Sequence, residues 1–196
     1  MKNKITLDAD TAKIIGMGLF STQLEYKVVE LSEDHIKTML AFQKLIVSNL
    51  KPDEEAYYLE KSESALTAHF NAGSKAIGIV CNDALLGQAL VVHPTAQFPK
   101  TGMTDMAPIN PIESVSVIQG LGVHPYARGM SIGNKLIDAW ISVAKADSRV
   151  NVIAETEQHN QYSWQLFLDH DIAIIGQAID PNDGAKLYNH HKVLTL

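Results

Sequence analysis

Between Gly120 and Lys135 the chain reads Gly-Leu-Gly-Val-His-Pro-Tyr-Ala-Arg-Gly-Met-Ser-Ile-Gly-Asn-Lys. Residues 120, 122, 129, 131 and 133 are small, so a main chain built from them lets a ligand come close. The run joins a β-like stretch ending at Val123 to an amphipathic stretch, with a helix predicted to begin near Gly129. The first turn of a helix leaves several amides without an intrahelical acceptor and carries partial positive charge. Such a turn suits a diphosphate, and Arg128 adds a charge-assisted donor at its mouth. His124 lies in the same loop, either touching phosphate or solvated. Other nucleotide motifs fit less well. A P-loop needs Gly-Lys followed by Ser or Thr, whereas Gly133 precedes Asn134 and Lys135 precedes Leu136. A Gly-x-Gly-x-x-Gly fingerprint could start at Gly120 and Gly122, but position 125 is proline.

The remaining reactive side chains are less informative by spacing. Cys81 is the single cysteine and sits in the apolar run from Ala76, so it reads as a buried packing residue that forms no internal disulfide. His190 and His191 are adjacent and would point to opposite faces of a strand. No Cys/His cluster has zinc spacing, so no metal site is expected. Glu54 and Glu55 follow Pro52 at a helix start, where the helix dipole accounts for them.

These residues have to be positioned by a mixed set of elements. Tyr26 to Leu31 reads as a strand, and Ser32-Glu33-Asp34 opens a helix carrying Ile36, Met39, Phe42 and Ile46 on one face. A second helix is predicted from Pro52 to about Phe70, stopping at Asn71-Ala72-Gly73. Ala76 to Cys81 and Leu85 to Val92 form a hairpin about Asn82-Asp83. Pro94 to Pro111 holds four prolines and few apolar anchors, and reads as a long loop. Then come a strand Ser114 to Val123, a helix Ser131 to Lys145, a strand Val150 to Ala154 and a helix Gln161 to Asp169. Two last strands, Ile172 to Ala178 and Leu187 to Leu194, flank a Pro-Asn-Asp-Gly turn at 181–184. This order implies an α/β (α+β) fold with a mixed sheet and helices on both faces. Residues 1–24 read as an N-terminal arm, with a short helix or strand, and 25–196 as one domain.

Bulk properties fit that picture. Of 196 residues 46% are hydrophobic and 19% charged, enough apolar mass for a core. The net charge of -6 argues against a nucleic-acid partner, so an anionic ligand must be met by local donors. No stretch approaches a membrane span, and the run Ile14 to Phe20 is short for a signal peptide. A cytoplasmic protein without a membrane partner is the expectation.

The segment Val123-x-Pro125-x-x-Arg128-Gly129-x-x-Ile132-Gly133 resembles the acetyl-CoA signature of the GNAT N-acyltransferases, whose core is Arg/Gln-x-x-Gly-x-Gly/Ala. Ser131 stands where the first core glycine is usual. Downstream, Ala154-Glu155-Thr156-x-x-x-Asn160-x-x-Ser163-x-x-Leu166-Phe167 is similar to the family's fifth strand and following helix. The resemblance implies a mostly antiparallel sheet of about six to seven strands, with a splayed cleft after the fourth. It implies acetyl-CoA as co-substrate, bound by Leu121, Gly122, Val123, Arg128, Gly129, Met130, Ser131, Ile132, Gly133, Asn134, Asn160, Ser163 and Phe167. The Val123 amide would polarise the thioester carbonyl, in the manner of an oxyanion donor. By resemblance to the ribosomal-protein N-terminal acetyltransferases, Glu155 is the general base, and their acid tyrosine falls at Phe167, which has no proton to give. Glu113 is the second choice for base; Tyr188 and Tyr162 are candidate acids, since a phenol can donate. The implied reaction is direct acetyl transfer to a primary amine of a small molecule or peptide. The alternative is a catalytically weak acyl-CoA sensor or interaction module of the same fold. A homodimer is also possible by resemblance.

Overall fold

The computed structural model describes residues 25–96, 101–107 and 109–195. The expected N-terminal arm therefore lies outside the described residues. In the described residues seven strands form one sheet: β1 (Lys27–Leu31), β2 (Lys75–Cys81), β3 (Ala84–Val92), β4 (Val115–Val123), β5 (Asn151–Glu157), β6 (Ala173–Ile179) and β7 (Lys186–Val193). Among the described residues four helices cover it: α1 (Ile36–Val47), α2 (Glu63–Asn71), α3 (Ile132–Ala146) and α4 (Gln161–Leu168). The strand order is β1-β2-β3-β4-β5-β7-β6, antiparallel except where β4 meets β5.

Alternation along the strands divides the interior in two. Ile77, Ile79, Leu86, Val91, Val152 and Ala154 pack under α3 and α4 around Trp140 and Leu136. Leu31, Leu85, Leu90, Val115, Val117 and Ile153 pack under α1 and α2 around Met39, Phe42 and Leu66. The β2–β3 hairpin turns as its sequence demands, with Asn82 and Asp83 both at positive φ (46° and 67°).

Two features open the sheet in its middle. The parallel pairing of β4 with β5 covers three residue pairs only, Val115 with Asn151, Ser116 with Val152 and Val117 with Ile153. Beyond them β4 stays with β3 and β5 with β7, leaving a V-shaped gap. The second feature is a bulge in β4. Gln119 faces Leu90 and Gly122 faces Gln88, so Gly120 and Leu121 together oppose Ala89, and Gly120 adopts φ +57°. A bulge bends and twists its strand, and this one lies just past the last β4–β5 pair.

Several expected boundaries shift. The predicted helix Pro52 to Phe70 is two pieces, a 3-10 turn Pro52–Tyr57 and then α2 from Glu63. Tyr58 is extended (φ -148°), its ring is buried, and the Lys61 amide donates to Gln43 Oε1 at 2.7 Å. Burial of Tyr58 thus interrupts the helical run, and Ser62 caps a fresh start. Helix α3 begins at Ile132 rather than near Gly129, because Gly129 and Ser131 are both left-handed (φ 79° and 58°). Strand β5 runs on to Glu157, so Glu155 lies within it rather than beyond its end. The loop after β3 also has an anchor the sequence hid: Met103 is 2% exposed.

Candidate functional site

The loop after β4 is braced from below. His124 is buried, its Nδ1 accepts the Tyr126 amide at 3.2 Å, and its ring lies between those of Phe42 and Tyr126. The side chain is therefore buried within the loop and not solvated. A 3-10 turn, Pro125–Ala127, then delivers the chain to Arg128, whose side chain is exposed.

The amides that follow bear directly on anion binding. Among the described residues, the amides of Gly129, Ser131, Ile132, Gly133 and Asn134 donate to no backbone carbonyl; the first helical bond of α3 is Lys135 N–H to Ser131 C=O at 3.2 Å. A Cβ added to Gly129 would meet nothing within 4 Å, so the space above it is open. Ser131 carries a positive φ that glycine adopts at lower cost. Gly133 is needed for packing, since a Cβ there would come within 2.8 Å of Leu166 Cδ2 on α4. Met130 packs against the α3-side core, while Asn134 bonds His170 at 3.0 Å and ties α3 to the end of α4. The residues present fit a diphosphate: unaccepted amides, an open approach and an exposed guanidinium.

Leu121, Gly122 and Val123 lie on the part of β4 that has lost β5. Leu121 and Val123 pack toward α3, and Gly122 faces Tyr58 and Ile46, with room for no Cβ beyond 3.0 Å from the Tyr58 ring. The Tyr58 hydroxyl donates to Gly120 C=O at 3.2 Å and receives Gln88 Nε2 at 3.4 Å. Burial pushes the Tyr58 pKa up to about 12. These contacts hold the bulge from the α1 side.

Across the gap, Asn160 caps α4, its Oδ1 accepting the Ser163 amide at 3.2 Å, and its carboxamide N–H groups meet no acceptor among the described residues. Phe167 is buried between Trp140 and His190, with ring centroids 6.4 and 5.1 Å away. His190 Nε2 lies 2.8 Å from Thr156 Oγ1, and burial lowers the His190 pKa.

Glu155 is half-buried on the opposite face of β5, the α1 side, where its carboxylate accepts the Thr104 amide at 2.5 Å. Burial raises its pKa; the Thr104 bonds oppose the shift, and the negative charges of Asp180 and Asp105 add to it. The other expected catalytic residues are not brought to this point. Glu113 is exposed in a 3-10 turn before β4, at the end of the strand away from the gap. Tyr188 pairs with Thr156 and lies edge-on to Trp164 at 6.3 Å, so it occupies the α4 face. Tyr162 is 93% exposed on α4.

Sequence reasoning missed three contributors. Asn189, 2% exposed, pairs with Glu155 across the strands and donates from Nδ2 to Thr104 C=O at 3.0 Å. Residues 101–107 form a strap: Gly102 lies on Val117 and Gln119 of β4, and Thr104 lies on β5 and β7. Glu157, also buried, accepts the amides of His159 (2.7 Å) and Asn160 (3.1 Å) and so shapes the turn into α4. None of the three has a local sequence signature. Among the described residues no group of three or more His, Cys, Asp or Glu is placed to hold a metal, and no helix is long and apolar enough to cross a membrane.

No curated protein matches the chain with significance. Solved structures do. An N-acetyltransferase from Staphylococcus aureus Mu50 superposes with a TM-score of 0.65 at 16% identity, covering 87% of this chain and 99% of its own. The yncA protein of Salmonella typhimurium, solved with its cofactor acetyl-CoA, gives 0.64 at 12% identity, covering 88% and 95%. A ribosomal-protein-alanine N-acetyltransferase from Brucella melitensis gives 0.64 at 17% identity, covering 86% and 99%. At these identities the likeness establishes the fold. The family itself rests on the sequence profile of the Acetyltransferase (GNAT) family, which matches residues 44–170, and to that family this chain belongs.

Proposed function

We propose that this chain transfers the acetyl group of acetyl-CoA to a primary amine by direct attack within the β4–β5 gap. The observation that carries the reading is the row of amides from Ser131 to Asn134, which no described backbone carbonyl accepts, beside the exposed Arg128. These groups would seat the diphosphate. Leu121, Gly122 and Val123 line the arm of the gap along which the pantetheine would run, and the free carboxamide N–H of Asn160 meets it from the other side. Acetyl-CoA supplies an acetyl thioester, already activated toward an amine.

The protein's part is positioning and proton transfer. Holding both partners in one gap removes much of the entropic barrier. Glu155, on the face away from α3, takes a proton from the amine; burial makes it a stronger base than an ordinary surface carboxylate. The Val123 amide polarises the carbonyl. Phe167 has no proton to give, and β5 stands between Tyr188 and the gap, so we assign protonation of the departing thiolate to solvent.

A second reading, the same domain binding acyl-CoA with little turnover, is favoured by one observation: Glu155 is already engaged by the Thr104 amide. Calorimetric titration with acetyl-CoA and a thiol-release assay over a panel of amines and peptides separate the two. Binding with turnover supports the enzyme. Binding without turnover supports the module, and no response at millimolar acetyl-CoA removes both.

A further inference from the structure

The acceptor side of the gap has a chemistry of its own. Coenzyme A would enter from the α3 face, so the amine must arrive from the α1 face, where the strap lies. The strap spans the V from β4 to β7, and its main chain already uses the two polar groups, Glu155 and Asn189, that would grip an extended peptide backbone. The groups around that point are acceptors. Asp105 on the strap and Asp180 at the end of β6 act on Glu155, and Asn189 Oδ1 is fully buried with no hydrogen-bond partner. A buried acceptor without a donor carries a penalty that a ligand N–H relieves. Asp53 and Glu54 of the adjoining 3-10 turn and Glu157 at the end of β5 add negative charge beside Tyr57, although Glu54 is paired with Lys51 and Glu157 with His159.

Resting on the acetyl-transfer reading above, we propose that the acceptor is a short amine with a second positive charge, a diamine or polyamine, and not a polypeptide N-terminus. Asp105, exposed and next to the Thr104 that bonds Glu155, is its specificity-determining residue and receives the distal ammonium; Asp180, whose Oδ1 already accepts from Asn182, adds only negative potential, while Asn189 Oδ1 and Glu155 face the donors nearer the reacting nitrogen. Diphosphate binding is left to Arg128 and the α3 amides, so the two anionic and cationic demands are met on opposite faces of the sheet.

The test is steady-state kinetics with 1,4-diaminobutane and spermidine against butylamine and an alanine-initiated tripeptide. The expected result is a kcat/KM for the polycations on the order of tenfold above butylamine, shrinking with added salt. Asp105→Asn is the clean variant, because Asp105 is exposed and at φ 55°, a conformation asparagine adopts readily. It should raise KM for spermidine about three- to fivefold and lower the spermidine-to-butylamine ratio of kcat/KM, whereas any effect through the Glu155 base is common to both amines and leaves that ratio unchanged. Equal or better use of the tripeptide, or a spermidine-to-butylamine ratio indifferent to Asp105→Asn, overturns this inference while the enzyme reading stands. Absence of turnover with every amine and peptide, with acetyl-CoA still bound, sinks both.

Discussion

Glu155 and Asn189 face one another across β5 and β7 and hold the same residue of the strap: the carboxylate accepts the Thr104 N–H at 2.5 Å, and the carboxamide donates to the Thr104 C=O at 3.0 Å. The strap is therefore seated on the proposed base, and base and strap should respond to perturbation together.

Glu155→Gln keeps the shape and an acceptor for Thr104 but removes the base. Turnover should fall by roughly 10²-fold or more with acetyl-CoA affinity nearly unchanged. Full activity in this variant would move proton removal to water.

The same carboxylate sets a pH dependence. Its pKa is raised, mainly by burial, and the base must be ionised to act. The acid limb of kcat/KM should therefore lie above the ordinary carboxylate range, near pH 4.3, and disappear in Glu155→Gln. The linkage has a definite sign. A carboxyl with a raised folded-state pKa contributes stability below its unfolded pKa, and loses it as pH rises through the folded value. Glu155→Gln should thus flatten the fall in melting temperature across that window, measured by thermal denaturation as a function of pH.

Arg128→Glu places an anion beside the α3 amides. Acetyl-CoA affinity should drop by roughly tenfold or more, since a charge-assisted bond is worth about 1.5–3 kcal/mol. Melting temperature without ligand should hold, because the side chain is exposed. Unchanged affinity by calorimetry would put the diphosphate elsewhere.

Ser131 occupies a left-handed position (φ 58°) where the family motif has glycine. A left-handed residue costs about 1–2 kcal/mol, and glycine loses about 0.5–1 kcal/mol of chain entropy in exchange. Ser131→Gly should therefore stabilise by ~0.5 kcal/mol and retain acetyl-CoA binding. Denaturant unfolding that shows a loss instead would mean the serine hydroxyl contributes to the fold.

Gly102 combines φ +68° with a Cβ position 2.4 Å from Val117 Cγ1. Gly102→Ala should unseat the strap from β4 and cost on the order of 1–3 kcal/mol. The thiol-release rate should change far more than acetyl-CoA affinity. Equal loss of both would mean that the strap supports the whole gap and not only its acceptor face.

Much of this was legible in one dimension. The alternating strands, the amphipathic helices, the hairpin at Asn82-Asp83 and the glycine-rich run after Val123 all depend on neighbours a few residues apart, and periodicity reports such interactions directly. The motif at Arg128 to Gly133 could be recognised because loop and helix start are contiguous, so its amides and its charged side chain are written side by side. The strap, the bulge brace at Tyr58 and the Glu155–Asn189 pair could not. Thr104 meets Asn189 over 85 positions and Tyr58 meets Gly120 over 62. Nothing in the spacing of residues so far apart reveals that they touch. Phe167 and Tyr188 show the same limit: strand order and facing, not residue type, kept a ring in the core and a phenol away from the gap. Sequence alone determined the loop and helix start to which we assign the diphosphate, because neighbouring residues build it; only the tertiary structure decided what surrounds Glu155, because that surface is assembled from four distant segments.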